Sequence, residues 1–466
     1  MEIVQVDLAV IGSGPAGQKA AIQGAKSGKK VAIIEQFYDP GGNCLFSGTI
    51  PSKTFREGVI DLTRFHERKF YGEEYDLPKV TIADLNRRLN KVIDEEKSML
   101  YRQFRRNGIQ LLLGTACFEN PHFLLVLDDD FRILYKVQAE SFIIATGSKP
   151  RKPDDVPFDG KVIMDSTTLL SIDEVPKSMI VLGGGIIGSE YASYFAALGT
   201  EVTIVDKKSH ILPMLDKEIG IHLQTALTEI GLKFLGKKIP KKISKVQGKA
   251  HVEFEDGDEV EAEILLYALG RTANVKSLDI HNAEIFLNEK GYIPVNALFQ
   301  TVQPNIYAVG DVIGGPSLAS TSMEQGRLAA RHATGQQTHH FPTFYPVGIY
   351  TIPEISSCGF NEFELKQKGF NYEVGRAYYY EIARSHIAGS NTGMLKIIFH
   401  RETLEILGVH VIGRGATEVI HIGQLAISFN AKVDYFIDQV FNYPTYAEAY
   451  RIAALNGLNK VTKIVG

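Results

Sequence analysis

Two stretches of the chain repeat one pattern of apolar and polar positions. Each begins with an apolar run, at residues 6–11 or 178–182, and passes through a glycine-rich turn and an alanine-rich helical stretch. Each ends in a second apolar run, at residues 30–34 or 201–205. Short apolar runs bounded by glycine predict buried strands, and a strand, a turn, a helix and a strand in succession predict an α/β unit. The chain therefore contains two such units.

Glycines and an acidic residue occupy matching positions in the two units. The glycines are Gly12, Gly14 and Gly17 in the first unit and Gly183, Gly185 and Gly188 in the second. In such a turn the first glycine makes the bend, the second lets the backbone approach a pyrophosphate at the helix N-terminus, and the third permits close packing. Glu35 and Asp206 each follow the first glycine by 23 positions, where a carboxylate can bind a ribose. The chain is therefore expected to bind two dinucleotides.

The remaining apolar runs predict further strands and helices. Residues 141–148 and 306–311 are expected to form buried strands, the first ending in a glycine turn and the second in a carboxylate. Residues 393–399 and 406–413 are expected to form two strands joined by a polar turn. Helical patterns begin at Ala416 and at Tyr446.

Composition narrows the class of protein. The chain has 466 residues, 44% of them hydrophobic, which is enough for about three domains of ordinary size. The formal net charge of -4 gives no basic field for nucleic acid. The three cysteines and the scattered histidines lack the spacing of a disulfide framework or of a metal site. No signal sequence and no apolar run of 18 residues is recognisable, so we expect a cytoplasmic protein without a membrane segment.

The segment GGNCLFSGTIPSK at residues 41–53 resembles the redox-active loop of the flavoprotein disulfide reductases, which include dihydrolipoamide dehydrogenase and glutathione reductase. That family carries two cysteines, five positions apart, before the sequence Ile-Pro-Ser-Lys. Here Cys44 stands at the first position and Thr49 at the second. A dithiol cannot form in this loop, so the hydride must leave by another route.

The resemblance implies an α/β fold with two Rossmann-like dinucleotide-binding domains and an α+β C-terminal dimerisation domain. The FAD-binding domain would comprise residues 1–150 and 273–345, with an NAD(P)-binding domain inserted at residues 151–272. The dimerisation domain would comprise residues 346–466, and the protein is expected to form a homodimer or a larger homo-oligomer. The implied ligands are FAD, together with NAD and NADP(H) as substrates.

The same resemblance implies a set of cofactor-binding residues. Asp311 would hydrogen-bond the ribityl chain of FAD, and the turn at Thr146 and Gly147 would close the first FAD segment. The full set is Gly12, Gly14, Gly17, Glu35, Gly42, Cys44, Thr49, Lys53, Ala116, Thr146, Gly147, Gly183, Gly185, Gly188, Asp206, Lys207, Gly270, Arg271, Gly310, Asp311, Leu318 and Ala319.

Two residues are implied to be catalytic. Lys53 and Glu190 match a family pair that forms an ion pair beside the flavin and the nicotinamide, where a cation stabilises developing negative charge. Near the C-terminus the family carries the sequence His-Pro-Thr-x-x-Glu. Tyr443 replaces that histidine here, ahead of Glu448. A phenol, with its ordinary pKa near 10, is a poor proton relay at neutral pH, so this change agrees with the loss of the dithiol.

Within the family, three segments resemble the soluble pyridine nucleotide transhydrogenases of bacteria: the loop at residues 44–53, YTIPEISS at 350–357 and FNYPTYAEAYR at 441–451. This resemblance implies hydride transfer between NADPH and NAD through FAD. The alternative is an NAD(P)H dehydrogenase or oxidase that passes electrons to a quinone, a dye or oxygen. A third possibility, a flavin-bearing scaffold without catalysis, conflicts with the intact Lys53, Glu190 and both glycine motifs.

The acidic residue of the second unit is unexpected in an enzyme that must also accept NADP. Asp206 favours NAD, because a carboxylate at the ribose repels a 2'-phosphate. Lys207 and Lys208 follow it directly, and Lys217 lies further along the chain. These lysines are expected to supply the compensating charge, unless they simply form a solvated face.

Overall fold

The computed structural model of the protein describes residues 2–64 and 80–461. Within these ranges the strands are, in chain order, β1 (Glu2–Ile11), β2 (Val31–Glu35), β3 (Gln110–Leu113), β4 (Thr115–Asn120), β5 (Phe123–Leu127), β6 (Ile133–Ile144), β7 (Ser148–Pro150), β8 (Ile163–Asp165), β9 (Ser178–Leu182), β10 (Glu201–Asp206), β11 (Lys233–Gly236), β12 (Pro240–Val246), β13 (Lys249–Phe254), β14 (Glu259–Ala262), β15 (Ile264–Tyr267), β16 (Arg271–Ala273), β17 (Ile306–Ala308), β18 (Val347–Ile349), β19 (Ile355–Gly359), β20 (Tyr372–Tyr378), β21 (Met394–His400) and β22 (Ile406–Ile412).

The α-helices of the same ranges are α1 (Pro15–Lys26), α2 (Gly42–Phe46), α3 (Thr49–Thr63), α4 (Ile82–Arg106), α5 (Ile186–Ala197), α6 (Lys217–Glu229), α7 (Ala319–Ala333), α8 (Glu362–Gln367), α9 (Ala383–Ile387), α10 (Ala416–Ser428), α11 (Tyr435–Asp438) and α12 (Glu448–Val461). Short 3-10 helices lie at Thr168–Ser171, Lys276–Leu278, Ile280–Ala283, Gly310–Ile313 and Tyr379–Glu381.

Two compact units divide the chain. The first comprises residues 1–54, 86–152 and 270–342, and the second comprises residues 55–85, 153–269 and 343–466. The breaks after Lys152 and Leu269 lie within three residues of the boundaries expected for the inserted domain. The second unit also includes the C-terminal segment, and the expected division into three domains stays a prediction.

The first unit contains a seven-stranded sheet. β3, β2, β1 and β6 run parallel in that order, and β17 lies parallel to the end of β6. β5 and β4 extend the sheet antiparallel from the first half of β6. β2 is buried along its whole length, as expected for a strand covered on both faces. Helices α1 and α7 pack closely because Gly326 has no side chain; a Cβ there would lie 2.1 Å from the Ala16 carbonyl oxygen.

The second unit contains a parallel five-stranded sheet in the order β11, β10, β9, β15 and β8. Helix α5 is buried on nearly all sides, and its apolar and small side chains join the core around this sheet. Strands β12, β13 and β14 form a separate antiparallel sheet. The expected repeat of a strand, a turn, a helix and a strand is therefore present in both units.

The C-terminal part of the second unit is an antiparallel sheet in the order β18, β19, β22, β21 and β20. Helices α10 and α12 pack on it through a shared apolar core. The α/β class, with two parallel dinucleotide-type sheets and an α+β C-terminal part, is confirmed. Within residues 2–64 and 80–461, no helix combines the length and the apolar character that a membrane crossing requires.

Several predicted boundaries were displaced. The strand expected at residues 141–148 is β6, which begins at Ile133 and ends at Ile144. The strand expected at residues 306–311 ends at Ala308, because Gly310 adopts a φ of +77° and Asp311 lies in a 3-10 turn. The helix expected from Tyr446 begins at Glu448. The errors at the ends of the two strands and at the helix start lie at turns, where hydrophobic spacing carries little information. The first part of β6 was missed because most of its side chains are exposed or half-buried.

Candidate functional site

The first glycine turn joins β1 to α1, and its close contacts require two of its three glycines. Gly12 has a φ of +98°, and a Cβ there would lie 2.6 Å from the Ala145 carbonyl oxygen. A Cβ on Gly17 would lie 1.8 Å from the Gly12 carbonyl oxygen. At Gly14 the position of a Cβ faces open space, and no side chain caps the helix that follows. The helix N-terminus is therefore accessible to a pyrophosphate.

Glu35, at the end of β2, is buried against this turn. One of its oxygens accepts hydrogen bonds from the Ser13 amide at 2.9 Å and the Ser13 hydroxyl at 2.6 Å. Its other oxygen accepts one from the Phe37 amide at 3.1 Å. The Ser13 hydroxyl in turn accepts from the Gly41 amide at 2.9 Å, which joins the turn to the loop that carries Cys44. The acid thus fixes the glycine turn in addition to any contact with a ribose.

The second glycine turn, between β9 and α5, has the same geometry. Gly183 has a φ of +110°, and a Cβ there would lie 2.7 Å from the Ala268 carbonyl oxygen. A Cβ on Gly188 would lie 1.9 Å from the Gly183 carbonyl oxygen, whereas Gly185 faces open space. Both turns therefore present the same accessible backbone at the start of a helix.

Asp206 ends β10 beside the second turn. Its Oδ2 accepts a hydrogen bond from the Gly184 amide at 2.6 Å, and its Oδ1 accepts one from the Lys208 amide at 2.8 Å. The side chains of Lys207 and Lys208 are exposed. The structure thus places these lysines at the acid, as the sequence predicts, and their contact with a phosphate stays a prediction.

Asp311 belongs to a polar cluster in the first unit. Its Oδ2 accepts a hydrogen bond from the Ser148 hydroxyl at 2.6 Å and lies 4.0 Å from Arg271 Nε. Arg271 donates to the Ser148 hydroxyl and to its carbonyl oxygen, both at 2.7 Å. The side-chain amide of Asn43 also donates to the Ser148 carbonyl oxygen. These bonds hold Asp311 at the end of the sheet near the Gly147 turn, where φ is +68°.

A buried hydroxyl tests whether this part of the chain fits a flavin nucleotide. Thr146 Oγ1 is buried and has no hydrogen-bond partner among the residues that the structure describes. An unsatisfied buried hydroxyl is costly, so its presence points to a ligand that supplies the partner. Together with the open position at Gly14 and the oriented Asp311, it makes the first unit compatible with FAD.

Cys44 lies in the short helix α2, one turn before Thr49. Burial raises the pKa of the Cys44 thiol, although the Thr49 hydroxyl hydrogen-bonds the sulfur and opposes the shift. None of the three cysteines of the chain is in a disulfide. The hydroxyl therefore occupies the place beside Cys44 that a second thiol would need for a redox pair.

Lys53 and Glu190 lie on different units. Lys53 is in the first turns of α3, in the first unit. Glu190 is buried in α5 of the second unit, where its Oε1 accepts a hydrogen bond from the Tyr350 amide at 2.8 Å. The predicted ion pair between Lys53 and Glu190 stays a prediction.

The remaining predicted positions are turns, helix starts and one core residue. Gly42 and Gly270 have φ values of +59° and +104°. The Gly310 amide donates to Gln325 Oε1 at 2.8 Å. Leu318 precedes and Ala319 begins α7, without a side-chain cap. Ala116 is buried in the core of β4.

The C-terminal segment places Tyr443 at an exposed position. Glu448 begins α12, and its Oε2 is buried with no hydrogen-bond partner in the described ranges. That a proton relay has been lost with the histidine stays a prediction.

Sequence reasoning missed three groups at these sites. Ser13 lies at a variable position of the glycine motif, so the motif does not select it. Ser148 is the last residue of the segment predicted as a strand, and its role depends on Asp311, which is 163 positions away. The Tyr350 amide reaches Glu190 across 160 positions and leaves no signal in its side-chain type.

Two family models match nearly the whole chain. The family described as pyridine nucleotide-disulphide oxidoreductase matches residues 6–326, and the dimerisation domain of the same family matches residues 345–454. The chain belongs to the pyridine nucleotide-disulphide oxidoreductase family. It is an oxidoreductase with FAD as its cofactor and pyridine nucleotides as its substrates.

Several members of this family resemble the chain along their whole length. A soluble pyridine nucleotide transhydrogenase of Mycobacterium tuberculosis (strain ATCC 25177 / H37Ra) is 44% identical, over 98% of this chain and 98% of the relative. Proteins of the same name from Photorhabdus laumondii and Shigella flexneri are 42% and 41% identical, over 99% and 98% of this chain and 100% and 98% of the relatives.

Solved structures of the family share the fold. The crystal structure of LpdA from Mycobacterium tuberculosis has a TM-score of 0.89 at 25% identity, covering 97% of this chain and 99% of that one. The HOCl-induced flavoprotein disulfide reductase RclA from Escherichia coli has a TM-score of 0.87 at 27% identity, covering 96% and 99%. The resemblance inferred from the loop sequence is therefore confirmed.

Proposed function

We propose that this protein transfers hydride between NADPH and NAD, one nucleotide leaving before the next enters. The observation that carries the proposal is the Thr49 hydroxyl beside Cys44, where a redox pair would need a second thiol. Both dinucleotide turns are nevertheless intact, with open backbone at Gly14 and Gly185. A chain that can bind both nucleotides but cannot store electrons in a disulfide is suited to exchange hydride between nicotinamides.

The residues of the first unit would hold the flavin nucleotide. The α1 N-terminus at Gly14 would bind its pyrophosphate, and Thr146 Oγ1 and Asp311 would supply polar contacts. When bound, FAD supplies a ring that accepts a hydride from one nicotinamide and donates it to another. The protein contributes binding, orientation and a fixed electrostatic environment.

The substrate nucleotides would bind at the second glycine turn, in succession. The α5 N-terminus at Gly185 would receive the pyrophosphate, and Asp206 would lie at the adenosine ribose. Glu190, four residues into the same helix, is oriented by the Tyr350 amide. Lys53 and Glu190 would act as a charge pair at the reacting rings, with the cation stabilising negative charge as it develops.

The names of the relatives support this reading. Each of the three relatives above is called a soluble pyridine nucleotide transhydrogenase. We also propose a cytoplasmic homodimer, with the nicotinamide domain at residues 151–272 and the dimerisation domain from residue 346. Exposed apolar side chains on the C-terminal part, among them Leu425, Phe429 and Val440, suit burial against a second copy.

Anaerobic rapid mixing of the purified holoprotein tests the proposal. NADPH should bleach the flavin absorbance, and a second mixing with NAD should restore it fully. Steady-state reduction of thio-NAD by NADPH should exceed reduction of a soluble quinone. Fast quinone reduction beside slow thio-NAD reduction would instead identify a dehydrogenase and contradict the proposal.

A further inference from the structure

The sheet brings a third lysine to the acid of the second glycine turn. β10 and β11 pair in a register that places Gly236 beside Asp206. The next residue, Lys237, donates its amide to the Lys208 carbonyl oxygen at 3.1 Å, and the Lys238 amide donates to the Asp206 carbonyl oxygen at 3.1 Å. Lys237 thus lies beside the segment that follows Asp206, although 31 positions separate it from that acid.

The charges of these lysines are not neutralised by the protein. The side chains of Lys207, Lys208 and Lys237 are exposed and form no ion pair or hydrogen bond with the residues that the structure describes. Other lysines of the same region are paired: Lys245 contacts Asp159 at 2.7 Å, Lys249 contacts Glu261 at 2.7 Å, and Lys238 contacts Asp256 and Asp258. Among the described residues, Lys207, Lys208 and Lys237 therefore form an unpaired positive cluster next to Asp206.

The Asp206 carboxylate is already engaged by the backbone. Its two oxygens accept from the amides of Gly184 and Lys208, which offset part of its negative charge and fix the main chain at Lys208. Lys237 has a φ of +60°, a conformation that side chains rarely adopt. The two backbone hydrogen bonds around it hold the segment in that conformation. Strained residues held in this way are concentrated at functional sites.

We propose that Lys237 and Lys208, with Lys207 beside them, form a phosphomonoester subsite that binds the 2'-phosphate of NADP(H). The inference rests on the proposed function, since it assumes that NADP(H) occupies the second glycine turn. Lys237 is then a specificity-determining residue for the phosphorylated nucleotide, and Asp206 serves the ribose of the nucleotide that lacks the phosphate. A phosphate dianion is a stronger hydrogen-bond acceptor than the neutral hydroxyl that stands in its place in NAD. The lysine cluster should therefore strengthen the binding of NADP(H) and leave the binding of NAD unchanged.

Calorimetric titration of the holoenzyme with 2',5'-ADP and with 5'-AMP tests the assignment without hydride transfer. Lys237→Ala should raise the Kd for 2',5'-ADP about tenfold or more, and that for 5'-AMP by less than about twofold. The loss should shrink as salt rises, because exposed charges are screened. The control is Lys233→Ala, an exposed lysine at the other end of β11, which should change neither Kd.

Three results would overturn the assignment. One is a Kd for 2',5'-ADP that changes by less than twofold in Lys237→Ala. Another is an equal loss for both ligands, which would indicate a general effect on the turn. The third is equal binding of 3'-AMP or inorganic phosphate with the same sensitivity to Lys237, which would make the cluster a nonspecific anion site. If thio-NAD reduction fails while the protein still binds 2',5'-ADP selectively, the proposed hydride transfer to NAD would be wrong. The assignment of the phosphate subsite would still hold.

Discussion

Lys396 offers the sharpest test of what stabilises the second unit, because its ammonium is fully buried among carboxylates. Nζ lies 2.8 Å from Asp216 Oδ1 and 3.1 Å from Glu218 Oε2, and it also contacts Glu362. The side chain is 0% exposed. The carboxylates belong to the start of α6 and to α8, so one cation on β21 neutralises charges from elements that are distant in sequence.

Replacing Lys396 with Met keeps most of the side-chain volume and removes the charge. Glu218 would keep Arg376, whose Nε lies 2.7 and 2.9 Å from its two oxygens, and Glu362 would keep the Tyr372 hydroxyl at 2.9 Å. Asp216 would keep hydrogen bonds from backbone amides but would lose the Lys396 ammonium. Breaking a buried pair by removing one partner costs about 3–5 kcal/mol, so the free energy of unfolding should fall by about that amount at pH 8.

The loss should depend on pH in a defined direction. Burial would raise the pKa of Asp216, but His410 and Lys396 together lower it below its usual value of 3.8. In the parent protein, the contribution of ionised Asp216 to the free energy of unfolding is therefore fully present above pH 3.8, the pKa of the unfolded state. It is lost only as the pH falls through the lower pKa of the folded state, so it does not change between pH 8 and pH 5. In Lys396→Met the Asp216 carboxylate loses one of the two charges that lower its pKa, so this pKa should be higher than in the parent, and protonation of the folded state should restore stability as pH falls. The difference between parent and variant should narrow from pH 8 to pH 5.

Urea unfolding, followed by far-UV circular dichroism at both pH values, measures the difference in free energy of unfolding between parent and variant. The value is taken from the first resolved transition, because a chain with more than one compact unit need not unfold in a single step. The control is Lys366→Met, an exposed lysine of α8, which should change stability by less than about 0.5 kcal/mol. A loss at Lys396 no larger than the control, or a loss that is the same at both pH values, would refute the reasoning.

Three further outcomes are expected. Gly17→Ala should abolish FAD retention, measured as loss of the visible flavin absorbance, since its methyl group would lie 1.8 Å from the Gly12 carbonyl oxygen; full retention would show that the turn can relax. Cys44→Ser should keep most of the NADPH to thio-NAD rate, and a thousandfold fall, about 4 kcal/mol, would show that the thiol acts in catalysis. Lys53→Met should slow flavin bleaching by NADPH about 10²- to 10³-fold with FAD still bound, whereas an unchanged rate would make the lysine structural.

The parts of the fold that follow from local pattern were predictable from the sequence. Glu35 and Asp206 lie beside their turns because a strand, a turn, a helix and a strand leave one place for an acid at the end of the second strand. The pattern did not show that each acid also hydrogen-bonds the backbone amide after the first glycine. Those bonds involve Ser13 and Gly184, at positions where the motif specifies no side chain.

Contacts between distant segments could not be predicted in the same way. Lys396 interrupts an apolar run, and its partner Asp216 lies 180 positions earlier. Lys237 reaches Lys208 only because β11 pairs with β10 in one register. A single sequence contains the residue types but not the register or the docking of helices that brings them together.

The Thr49 hydroxyl beside Cys44 also limits how the loop can respond to oxidants. A thiol with a neighbouring thiol can close into a disulfide and be recovered by reductants. Cys44 has a hydroxyl neighbour instead, and the other cysteines, Cys117 and Cys358, are buried. Oxidation at Cys44 would therefore produce a sulfenic acid or a mixed disulfide with a small thiol, rather than a cross-link within the loop. Oxidation would therefore enlarge the Cys44 side chain without cross-linking the backbone of the loop.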